Sequence, residues 1–130
     1  MKFNIVQKKS YAFALRIITL AKWLREQKEF EVARQILRSG TAIGSNVEEG
    51  LAGVSRADFI AKMSIASKEA RETHYWMRLL RDSKIVPDSK IKALEAEGLE
   101  LIRILTAIVK TSQSGGSNLK LRTKNTDHSL

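Results

Sequence analysis

The sequence predicts an all-α protein, an antiparallel up-down-up-down four-helix bundle. Three observations predict it. Four segments place apolar residues alternately three and four positions apart, the period of a helix with one buried face. The joints between them are short. One proline and seven glycines in 130 residues leave few places where a helix must break. Amphipathic helices joined by short loops pack antiparallel to their neighbours.

The first helix is expected over about 10–27, with Ser10 as its N-cap. Its stripe is Phe13, Ile17, Leu20 and Leu24, flanked by Ala14, Ile18 and Ala21. Residues 1–8 read as a lead-in that packs through Phe3, Ile5 and Val6. Trp23 falls off the stripe, where it would serve as an anchor at an oligomer contact.

After the polar joint REQKEF, a second helix is expected over 30–50, with Ala33, Ile36, Gly40, Ile43 and Val47 inward. Its centre, SGTAIGSN, is a poor helix former, and Gly40 and Gly44 each cost about 1 kcal/mol against alanine. Packing must therefore hold this helix. Glycines four apart on one face let another backbone approach closely. They form no phosphate loop, since GxxxxGK[ST] and a preceding strand are both missing. Gly50 and Gly53 are expected to end the helix in the left-handed region.

Ser55-Arg56-Ala57-Asp58 resembles a capping box that opens a third helix over 55–84. Phe59, Met63, Ala66, Ala70, Thr73, Met77 and Leu80 form its buried stripe. A second row beside it holds Ile65, Glu69, Glu72, Trp76 and Leu79. Two carboxylates in so apolar a row either reach solvent or pair with arginines, for which Arg38 and Arg71 are the candidates. Pro87-Asp88-Ser89 makes the next turn, and a fourth helix over 89–111 buries Ile91, Leu94, Gly98, Leu101, Leu105 and Ile108. The bundle thus occupies 1–112. Residues 113–130 lack an apolar period and read as a flexible polar tail carrying Lys120, Arg122 and Lys124.

Composition narrows the function. With 43% hydrophobic residues the chain is not disordered as a whole. The absence of cysteine excludes disulfides, thiolate metal sites and thiol nucleophiles. No apolar run nears the ~20 residues of a membrane span, and MKFNIVQKKS is unlike a signal peptide, so a soluble cytoplasmic protein is expected. A membrane-surface role through the first helix is disfavoured because Trp23 lies off its apolar stripe. The net charge of +9 favours a polyanionic partner.

No catalytic group stands out, and no enzyme, metal or cofactor is expected. His74 is the sole histidine of the folded part, beside Tyr75 and Trp76. A di-metal carboxylate bundle needs Glu-x-x-His on two helices, whereas Glu69 is followed at that spacing by Glu72. Ser39, Ser45 and Ser64 have no histidine at helical spacing to activate them.

The string SGTAIGSNVEEG, followed by SRADF and SIASKEARETHYW, resembles the four-helix-bundle family of the 23S rRNA intervening-sequence proteins. A similar bundle is the accessory protein of diversity-generating retroelements. The motifs lie between Gln35 and Val86, and the similarity extends from Lys9 to Lys110. The resemblance implies a homopentameric ring, and it brings in rRNA or a reverse transcriptase as possible associations.

Basic residues are scattered over every helix, with no helix-turn-helix and no paired stacking aromatics. The candidates for nucleic-acid contact are Lys9, Arg16, Lys22, Arg25, Arg34, Arg56, Lys62, Arg78 and Arg81, joined in the same scatter by Arg38, Lys68, Arg71 and Lys84. Those for packing or interfaces are Trp23, Arg38, Gly40, Gly44, Glu69, Glu72 and Trp76. Three readings stand: a nucleic-acid binder, RNA ahead of DNA, recognising backbone and shape; a protein scaffold, for example for a reverse transcriptase; or a purely structural oligomer.

Overall fold

Four helices make up the described chain, residues 3–121 of a computed structural model. They are α1 (Asn4–Glu26), α2 (Phe30–Leu51), α3 (Arg56–Asp82) and α4 (Asp88–Leu121), and no strand occurs among the described residues. Helices adjacent in sequence pack together, and α4 closes the square against α1.

The sense of each packing follows from its cross-contacts. Gln7 bonds Glu48 while Ile17 lies against Gly40, so α1 and α2 run oppositely. Lys62 pairs with Glu49 and Arg38 with Glu69, which sets α3 against α2. Arg81 meets Glu95 and Arg71 meets Thr106, which does the same for α3 and α4. Lys9–Glu100 and Arg16–Glu97 align α1 antiparallel to α4. The chain is an up-down-up-down four-helix bundle.

The expected stripes are the core. All seven positions predicted for α3, Phe59 through Leu80, are buried, as are Ala33, Ile36, Gly40, Ile43 and Val47 of α2. One polar link crosses this interior: the Thr73 hydroxyl lies 2.8 Å from the Ser39 hydroxyl and 2.8 Å from the Glu69 carbonyl oxygen. A buried hydroxyl with such partners loses little on leaving water.

Four local expectations are corrected. α1 starts at Asn4, well before Ser10, which is buried in mid-helix with its hydroxyl donating to the Gln7 carbonyl at 3.2 Å. The lead-in is helical because Val6 is buried and Phe3 packs on Phe59, ring centroids 5.0 Å apart. α4 continues to Leu121, so 113–121 of the expected tail are helix; the remaining tail, 122–130, lies outside the described residues. Burial of Ser112 and the approach of Gly115 to Arg56 carry α4 past its predicted end.

The left-handed positions also differ. Neither Gly50 nor Gly53 has a positive φ; that conformation falls to Lys28 (φ 66°) and Lys84 (φ 65°). At Lys28 the α1 terminus forms a Schellman motif, with Lys28 N–H donating to Arg25 O at 2.9 Å and Glu29 N–H to Leu24 O at 2.8 Å. Gly50 is instead a packing position, where an added Cβ would lie 3.1 Å from Lys62 Cβ. Finally, Arg71 does not pair with the carboxylates of the second α3 row. Arg38 does, and Arg71 donates to Thr106 Oγ1 at 3.0 Å.

Candidate nucleic-acid interface

Helix packing sorts the basic residues into two populations. The first is neutralised. Lys9 pairs with Glu100 at 3.3 Å, Arg16 with Glu97 at 2.7 Å and Lys62 with Glu49 at 2.7 Å. Arg34 pairs with Glu31 one turn before it, and Arg81 lies 2.7 Å from Glu95 and 3.0 Å from Asp82. The bond from Glu49 raises the Lys62 ammonium above its ordinary value, and that from Asp82 does the same for Arg81. Five of the nine predicted nucleic-acid contacts are therefore engaged inside the molecule.

Arg38 belongs to the same population. Its guanidinium reaches Glu69 at 3.3 Å and also bonds Glu72, whose carboxylate accepts from Trp76 Nε1 at 3.2 Å. The bond from Arg38 holds Glu72 below the usual carboxylate range. The second row of α3 is thus braced against α2 within one chain. Gly40 and Gly44 likewise serve internal packing, facing Ile17 and Ser10 of α1. Trp23 is half-buried against the core, with Lys90 Nζ 5.2 Å from its ring centroid.

The second population has no carboxylate. Lys22 and Arg25 lie on the outer side of α1, Arg56 sits where α3 begins, and Arg78 stands 5.7 Å over the exposed Tyr75 ring. Around Arg78 the structure gathers residues that the sequence reading missed or left in the general scatter. The Arg71–Thr106 bond and the Arg81–Glu95 pair fix the register of α3 on α4. Lys92, Arg103, Thr106 and Lys110 recur along α4 at helical spacing. Their row therefore borders the outer groove whose α3 side carries Arg71 and Arg78. All five cations are exposed, and none of them is in an ion pair.

Acid placement explains why this groove stays cationic. Between 64 and 78 on α3 the only carboxylates are Glu69 and Glu72, both turned to Arg38 of α2. Between 99 and 110 on α4 the only one is Glu100, turned to Lys9 of α1. Glu95, further along, is buried against Arg81; its Oε2 has no hydrogen-bond partner among the described residues. His74 sits beside this cluster, and burial first, then Arg78, pushes its imidazole below the ordinary value. Among the described residues, no three His, Asp or Glu side chains come together in a way that could hold a metal ion. No helix described is long and apolar enough to cross a membrane.

These features define the class as an antiparallel four-helix bundle with several internally paired cations and an unpaired basic groove between α3 and α4. A model of the family described as 23S rRNA-intervening sequence protein matches residues 2–107. The chain belongs to that family. Among solved structures it is similar to a protein of unknown function from the S23 ribosomal protein family of Bacteroides thetaiotaomicron. The two share 46% identity at a TM-score of 0.81, over 85% of this chain and 99% of that one. No curated protein matches the chain.

Proposed function

We propose that this is a non-enzymatic, cytoplasmic protein that binds the phosphate backbone of structured RNA along the α3–α4 groove. The observation that carries the reading is the contrast just described. Lys9, Arg16, Arg34, Arg38, Lys62 and Arg81 are paired with carboxylates, whereas Arg71, Arg78, Lys92, Arg103 and Lys110 share one face without any. A cation already held by a carboxylate has little to gain from phosphate. An unpaired one releases the phosphate's counterions. The Arg78–Tyr75 stack adds a flat surface for an unpaired base.

Assembly into a homopentameric ring is part of the same proposal. Tyr11, Leu15 and Ile18 form an exposed apolar row on α1, and Ile65 and Leu79 another on α3. These helices are diagonal in the bundle, and their backbones do not approach each other closely. Unlike rows on opposite sides favour a head-to-tail contact, which closes into a ring when the rotation between copies divides the circle. Five-fold symmetry rests on the family resemblance. In such a ring each groove repeats about the axis, and binding to a long RNA becomes multivalent.

The test measures binding of an RNA hairpin, duplex DNA and heparin across a salt series. Five phosphate contacts per chain give a log–log slope of about −4 to −5. Arg71→Gln with Arg103→Gln should lower its magnitude by about 2, while Lys9→Gln with Arg16→Gln should leave it unchanged. Equal effects of the two pairs would refute the assignment of the groove. No RNA binding at physiological salt would favour the scaffold reading, for which the α1 row is the docking surface. Native mass measured on the same preparations should read five chains, and one chain after Leu15→Lys with Ile18→Lys.

A further inference from the structure

A groove at the end of the bundle, away from the α3–α4 face, has a different chemistry. It encloses about 480 Å³ between the start of α1 and the last turns of α4. Val6, Ile104, Ala107 and Ile108 make apolar walls, and Phe3, stacked on Phe59, adds an aromatic one. Ile5 lines it while remaining 60% exposed, so apolar surface is left to water there. Contiguous exposed apolar surface next to a cavity of this size marks a binding site more often than idle surface.

We propose that this groove binds a single-chain amphiphile with an anionic head group, a fatty carboxylate in chemical class. Arg56 is the only charged residue on the lining, and no carboxylate among the described residues pairs with it. A bidentate guanidinium–carboxylate bond would satisfy it. Ser112 also lines the groove; it is 6% exposed, and its hydroxyl has no partner among the described residues. The Ser112 hydroxyl offers a ligand oxygen a second polar contact beside Arg56. The apolar walls take the alkyl chain at about 0.8 kcal/mol per methylene buried. A cationic head would find no acid here. Nucleic acid is a poor fit, because one charge among apolar walls offers little to a phosphate backbone. The sequence reading grouped Arg56 with the nucleic-acid contacts; its position gives it this separate role.

The experiment uses the full chain and dansyl-labelled undecanoate as the probe. Saturable fluorescence enhancement in the micromolar range, reversed by dodecanoate but not by dodecyltrimethylammonium, is the expected result. Arg56→Leu should weaken binding about tenfold, Arg56→Lys should retain most of it, and Ala107→Trp, which fills the groove from an exposed helix position, should abolish it. Circular dichroism of each variant reports that the bundle is intact. No saturable binding, displacement by the alkylammonium as readily as by the carboxylate, or binding unchanged in Ala107→Trp would each overturn the proposal. The salt slope for RNA should be unchanged in Arg56→Leu, so this proposal and that for the basic groove fail separately.

Discussion

Two glycines four residues apart on α2 should respond in opposite directions to the same substitution. A Cβ built on Gly40 would stand 2.8 Å from both Cγ1 and Cγ2 of Ile17, whereas one on Gly44 would meet its nearest atom, the Ser10 carbonyl oxygen, at 3.4 Å. In a helix interior each change to alanine gains about 1 kcal/mol in propensity. At Gly44 that gain is realised, because the contact is near ordinary van der Waals distance. At Gly40 the overlap is with a fully buried side chain that has nowhere to move, and overpacking costs about 1–3 kcal/mol. The balance is a gain of about 1 kcal/mol for Gly44→Ala and a loss of up to about 2 kcal/mol for Gly40→Ala. At this chain length the two midpoints should separate by about 8 °C. Thermal and urea unfolding followed by circular dichroism measure both. A cycle with Ile17→Ala isolates the cause, since deleting both γ-carbons makes room for the new methyl and should yield a coupling of about 1–2 kcal/mol. Equal shifts for the two alanines, or a cycle with no coupling, would refute the argument that α1 closes on α2 through Gly40. Leucine at both positions should abolish folding.

Two further outcomes follow from the helix ends and the Arg38 brace. Lys28→Gly should raise the urea midpoint by the equivalent of up to about 1 kcal/mol, because a left-handed lysine is strained where glycine is not; a lowered midpoint would show that the lysine side chain outweighs its backbone. Glu72 has a depressed pKa in the fold, so its contribution is present above the unfolded carboxylate value of about 4.3 and is lost as pH falls through the folded one. Arg38→Met should flatten stability against pH in that acid window, and an unchanged profile would assign the acid sensitivity to other carboxylates.

The stripes were legible because a buried helical face leaves a periodic record, and every predicted inward position of α2 and α3 is buried. The Ser55 cap was legible for the same local reason: its hydroxyl accepts from Asp58 N–H at 3.0 Å. The early start of α1 was hidden because it depends on Phe59, far away in sequence. Lys28 and Lys84 were hidden because propensity names glycine for a left-handed cap, and here the tight joints force that backbone on lysine. Arg38 as the partner of the second α3 row was narrowed to two candidates, and the antiparallel register chose between them.

The basic groove failed to appear in the sequence for a different reason. A search for cations weighs Lys9 and Arg103 alike, but their availability is decided by where the acids go. Glu97 and Glu100 lie on the α1 side of α4, and Glu69 and Glu72 on the α2 side of α3. Each acid is spent on a neighbouring helix other than the α3–α4 pair. The consequence is legible once register is known: positions 103, 106 and 110 fall on one row that no acid shares between 99 and 110, and Asp88 stands one turn before Lys92 at the far end. Moving a single charge tests the logic. Thr106→Glu would put a carboxylate beside Arg71, within the reach of the existing 3.0 Å contact. It would create there the pairing found on the other faces. Such a change leaves the core untouched and removes one unit of charge from the groove, by neutralising Arg71. RNA affinity should fall about as far as it does on deleting one arginine, with no loss of helicity.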